Sequence, residues 1–126
     1  MAFTAAVRTE MLKVFTNGSP TDYTTWYVSL HTADPGATGA DELPSSNGYI
    51  RKTVSWSAVS GGASDNSAQV QFAASGGDWS QVSYFGIWNA ETSGTWLGGG
   101  SLSAAKTITD GDTGTFAAGD LDLTIS

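Results

Sequence analysis

The chain has no cysteine, one histidine, three prolines and five basic residues in 126. Without thiols there is no disulfide framework, no thiolate nucleophile and no cysteine-ligated zinc. The basic residues Arg8, Lys13, Arg51, Lys52 and Lys106 are scattered through a chain of net charge −7. Even the neighbours Arg51 and Lys52 face opposite ways on a strand. Binding to a phosphate backbone needs several convergent cations, so no nucleic-acid partner is expected. No apolar run approaches the ~20 residues of a membrane span, and MAFTAAVRTEMLKVF has no signal-peptide core. No membrane partner is expected, and the product should stay in the cytoplasm of the cell that makes it until it is assembled elsewhere.

What is present reads as one domain over 1–126, long enough to bury roughly two-thirds of its unfolded surface. Phe3, Val7, Met11, Val14 and Phe15 recur at helical spacing, with Arg8, Thr9 and Lys13 on the other side. This predicts a helix over 4–17, stopped by Asn17-Gly18 and Pro20. Beyond it the period drops to two. The alternation predicts strands over Trp26–His31, Tyr49–Ser57, Ala68–Phe72, Val82–Asn89, Thr95–Leu102, Lys106–Thr109, Thr113–Ala117 and Leu121–Ile125. In the last of these Leu121, Leu123 and Ile125 are expected to point inward. Turn pairs such as Asn47-Gly48, Gly61-Gly62 and Asp110-Gly111 separate the strands. The fold class is therefore all-β: an antiparallel β-sandwich, jelly-roll-like, over 26–125, with one N-terminal helix.

One connection is long. Residues 33–48, ADPGATGADELPSSNG, carry no strand pattern, and loops beyond ~12–15 residues are usually functional. Its only large apolar residue, Leu43, sits in the run Asp41, Glu42, Leu43, Pro44. We expect these four residues to touch a neighbouring subunit, with Leu43 as anchor. The alternative is that Leu43 folds back onto its own sandwich.

The chemical readings are weak. His31 in SLHTADPG is the one imidazole available for a Ser-His-Asp arrangement, with Asp34 nearby. No G-x-S-x-G elbow is present, and GGGS at Gly98–Ser101 lacks its spacing. The pattern WYVSLH puts His31 on a polar face with Ser29 and Tyr27, at a strand end before an Asx turn; it is expected to be dispensable for chemistry. The twelve acids sit beside turn residues, which does not favour a glycosidase pair. DGDTG at Asp110–Gly114 opens like a calcium loop but lacks the later ligands. Trp26, Trp56, Trp79, Trp88 and Trp96 are expected as core or subunit contacts, with a glycan-stacking surface as the alternative. No catalytic residue, cofactor or metal ligand is assigned.

In order, SLHTADPG, NGYIRKTVSW, FGIWNAETSGTWLGGGSL and GDTGTFAAGDLDLTI resemble a family of small structural proteins of tailed bacteriophages, usually labelled tail-fibre or minor structural proteins. The resemblance covers nearly the whole chain and implies a non-enzymatic virion component made in the bacterial host cytoplasm. The chain has no repeat, heptad or shaft, so a compact surface knob is expected. Our first expectation is a capsid-decorating cement protein; the alternative is a tail-fibre or receptor-binding module, with a glycan-active enzyme more distant. The partners this implies are the major capsid protein or tail proteins, further copies in a homotrimer, and a host surface glycan.

Overall fold

The side-chain oxygen of Thr4 accepts the Val7 N–H at 3.3 Å and caps the first helix. That helix, α1, runs Ala5–Phe15 in the computed structural model, which describes residues 1–124. It ends where Asn17 turns left-handed (φ 57°) and the Gly18 N–H closes on the Lys13 carbonyl at 2.7 Å. The predicted stop is thus found, and Thr4 serves as cap rather than as first helical residue.

The chain is an all-β sandwich apart from this helix. A five-stranded sheet has the order β1 (Ala2–Phe3), β7 (Trp96–Lys106), β6 (Val82–Trp88), β2 (Trp26–His31), β3 (Lys52–Val54). Two ribbons complete the fold: β4 (Ala63–Asp65) with β9 (Asp122–Thr124), and β5 (Val70–Ala73) with β8 (Thr113–Phe116). Every pairing described is antiparallel.

The register sets two faces. Val28 pairs with Ile87 and Leu30 with Phe85, so these four side chains share the main core face. The β5–β8 ribbon lies on it: Phe116 meets both Phe72 and Phe85 edge-on, with centroids 6.3 Å apart in each pair. Val7 of α1 joins the same core. Burying side chains of this size is the main stabilising contribution, roughly 1.5–3 kcal/mol each.

Several elements differ from expectation for local reasons. Thr95–Leu102 and Lys106–Thr109 are one strand as far as Lys106, bulged where five residues of β7 span two of β6, between Ser101 and Lys106. The strand predicted over Tyr49–Ser57 shortens to Lys52–Val54. β1 and β4 are too short for a period-two pattern to reveal. On the face that Ala68, Val70 and Phe72 share by alternation, Ala68 is exposed, whereas Val70 and Phe72 are buried. Val14 and Phe15 of the expected apolar helix face are exposed as well. Met11 is the last helical side chain packed against the core, and the final turn runs past it. Ile125 lies outside the described residues.

Candidate functional site

The opposite face of β2 carries Ser29 and His31, and both are fully enclosed. Their enclosure begins with glycine. Ser29 pairs with Gly86 of β6, and a Cβ on Gly86 would stand 2.2 Å from the Trp96 ring. Only glycine lets that indole lie against the sheet. Trp88 meets Trp96 edge-on at 5.2 Å, and His31 meets Trp96 at 5.5 Å. The 33–48 loop closes over them. At Gly39 (φ 77°) a Cβ would come within 2.6 Å of Trp88.

The loop reaches this position by extending the sheet. β3 pairs only with Trp26–Val28, which leaves the rest of that edge of β2 free. The Leu43 N–H donates to the Leu30 carbonyl and the Thr32 N–H to the Asp41 carbonyl, each at 3.0 Å. The Tyr49 hydroxyl accepts the Leu30 N–H at 3.1 Å. The main-chain groups at this edge are therefore paired although no strand lies beside them. The expected polar strand end is found where the alternation placed it, but roofed, which the alternation does not reveal.

Under the roof, Nδ1 of His31 lies 2.7 Å from the Ala40 carbonyl. A carbonyl only accepts, so Nδ1 carries the proton and Nε2 accepts the Ser29 hydroxyl at 2.7 Å. Ser29 Oγ in turn accepts the Trp88 indole N–H at 2.9 Å. Burial pushes the His31 pKa below its ordinary value, which keeps the ring neutral. A serine bonded to a histidine, itself oriented by a third group, is the outline of an activated nucleophile. Here the orienting group is a carbonyl, and neither side chain meets solvent. Asp34 takes no part; it accepts the Gly36 N–H at 2.9 Å in a turn. The arrangement binds the loop to the sheet.

Arg51 forms the rim. Its Nε and Nη2 each lie 2.8 Å from a different oxygen of Glu42, and Nη1 donates to the carbonyls of Ala90 and Ser93. Its Cζ stands 3.8 Å from the Trp88 ring centroid. One guanidinium thus joins the loop, the β6–β7 turn and the indole. Burial raises the Glu42 pKa, but hydrogen bonds from Arg51 and Tyr49 outweigh it and leave the carboxyl below its ordinary value. Burial pushes the Tyr49 phenol far up, so it stays a donor to Glu42 at 2.8 Å. Sequence reasoning missed Arg51, because a lone cation gives no signal until its partners are assembled.

Of the four loop residues singled out, Leu43 is buried in the chain's own core, as in the fold-back alternative. Glu42 is bound to Arg51, and only Asp41 and Pro44 are exposed. In DGDTG, Asp110 accepts the Gly76 N–H and Asp112 the Thr109 hydroxyl, so both acids close turns. Among the described residues no group of His, Asp and Glu is placed to hold a metal ion. The five tryptophans divide among three places: Trp88 and Trp96 under the loop, Trp79 bonded to the Asn47 carbonyl, and Trp26 and Trp56 at a groove beside α1.

That groove is open, mostly apolar and about 390 Å³ in volume. Met11, Val14, Trp26, Trp56 and Val59 help to line it. The Trp56 indole N–H is buried there without an acceptor among the described residues, a deficit worth about 1–3 kcal/mol. No described helix is long and apolar enough to cross a membrane. The family described as podophage GP4 fiber I protein gp80 matches residues 2–124. The chain belongs to this family. No curated protein matches it. The match extends from β1 through β9, so the roofed pair, the Arg51 rim and the groove all lie within the part shared with these fibre proteins. It agrees with the tailed-phage resemblance read from the motifs, and the protein is a phage structural protein.

Proposed function

We propose that the protein is a non-enzymatic, single-domain head of a podophage tail fibre, displayed at the virion surface and assembled with other tail proteins. The match to a fibre family across residues 2–124 carries this reading. It favours the tail-fibre module over the capsid cement expected first. The lack of a shaft, which suggested cement, is equally natural in a small head borne by another protein. The enclosed Ser29–His31 pair supports a non-enzymatic role, because a nucleophile needs a path to substrate.

The exposed residues Asp41 and Pro44 would supply any contact the 33–48 loop makes with a neighbour, Leu43 being occupied internally. Homo-oligomerisation, as a trimer, accounts for the apolar surface left in water on α1. Quantified protein stoichiometry of purified virions, combined with antibody labelling, tests the assignment. A handful of copies per particle, labelled at the tail, is the expected result. Hundreds of copies on the capsid shell would restore the cement reading.

A further inference from the structure

Helix α1 carries two parallel stripes, one residue out of step. Val7, Met11 and Val14, spaced i, i+4, i+7, face the core and the groove. Arg8, Leu12 and Phe15 have the same spacing one position on, about 100° around the helix. Among the described residues nothing covers this second stripe: Leu12 is 64% and Phe15 89% exposed. Across the groove, Val59 is 76% exposed.

We propose that this face is a self-association surface, in which the Arg8–Leu12–Phe15 stripe of one copy docks into the α1–Trp56–Val59 groove of the next. The proposal rests on the homo-oligomer reading above and names its surface. A projecting aromatic side chain and an apolar groove of about 390 Å³ occur on one molecule, on adjoining sides of one helix. The charges also match. Arg8 heads the stripe without a carboxylate partner among the described residues, while Asp22 stands exposed on the groove lining.

Phe15 alone offers roughly 150–200 Å², and with Leu12, Val14 and Val59 the open apolar surface reaches on the order of 500 Å², near the top of the range for a monomer. In one head-to-tail contact this surface is the sum from the stripe of one copy and the groove of the next, the size of a small interface rather than of a standard one. Because stripe and groove are different patches, the contact is head-to-tail, the kind that builds a ring or a filament according to the rotation between copies.

The test uses the full chain with Phe15→Asp and Val59→Asp, both replacing solvent-exposed side chains. Light scattering and sedimentation should show an oligomer for the unaltered protein and a monomer for each variant, with the circular-dichroism spectrum of the fold retained and a melting temperature that no longer depends on protein concentration. Mixing the two variants should yield a heterodimer containing one copy of each, because one stripe and one groove remain intact. In that heterodimer the Trp56 indole resonances should shift, because its ring lines the groove. Variants that stay oligomeric would place association on another face and leave the oligomer reading standing. A monomeric unaltered protein would end both readings without touching the fibre assignment. A mixture that stays monomeric would overturn the head-to-tail contact.

Discussion

Ser29 Oγ and His31 Nε2 lie 2.7 Å apart with neither residue open to solvent, and the Ala40 carbonyl on the far side of the imidazole belongs to the loop above them. The pair is thus a cross-link between sheet and loop. That relation gives His31 a structural role beside the expectation that it is dispensable for chemistry.

His31→Ala should destabilise the protein by about 2–4 kcal/mol, through the cavity and the unpaired hydroxyl and carbonyl it leaves. His31→Gln should cost less, because an amide can still donate to one partner and accept from the other. Urea denaturation followed by tryptophan fluorescence measures both. Unchanged midpoints would show that the imidazole holds nothing.

Stability should also depend on pH through His31. Its folded pKa is lowered from 6.5 by burial, so the unfolded chain takes up the proton first. Its contribution is complete above about pH 6.5 and is lost as pH falls through the folded value. Glu42, lowered from 4.5 when folded, adds a second loss below about pH 4.5 by the same sign. Denaturation midpoints measured from pH 8 to pH 5 should be flat and then decline, and His31→Gln should remove the decline.

Arg51 should behave as one unit with Glu42. Arg51→Ala, which strands a half-buried carboxylate, should cost about 2–4 kcal/mol. The double variant with Glu42→Ala should cost less than the sum of the singles, by about 1–3 kcal/mol. Arg51→Lys should recover little, since an ammonium cannot hold both carboxylate oxygens and the two carbonyls together. Additive effects in the double-mutant cycle would sink this account.

Leu43→Ala removes a side chain of the protein's own core and should lower stability by about 2–5 kcal/mol. Calorimetry on the isolated protein is the direct measurement. An unchanged melting temperature would return Leu43 to the surface and revive its role as a partner anchor.

Period-two alternation was enough to find β2, β6 and β8: Val28 and Leu30 share one face of β2 and Ser29 and His31 the other, Phe85 and Ile87 share a face of β6, and in β8 half-buried Gly114 and Phe116 alternate with exposed Thr113 and Thr115. Asn17 and Gly18 marked the C-terminal end of α1 through the local rule of a left-handed stop, whereas Thr4, read as the first helical residue, is its cap. The family motifs, too, were legible as strings of residues. The 33–48 loop was legible only as an anomaly of length, because its hydrogen bonds go to Leu30 and Thr32, and no pattern within the loop encodes those partners.

Composition and periodicity therefore settle the all-β class, the capped helix, and the lack of thiol chemistry and of a cationic patch, since each follows from residue type and near-neighbour geometry. Packing alone decides that Ser29 and His31 are sealed, that Arg51 and Glu42 meet, and that Leu43 turns inward. It also decides that Leu12 and Phe15 are left in water. Each of these depends on which distant segment arrives opposite a side chain, and burial and hydrogen bonding are properties of that meeting rather than of either segment.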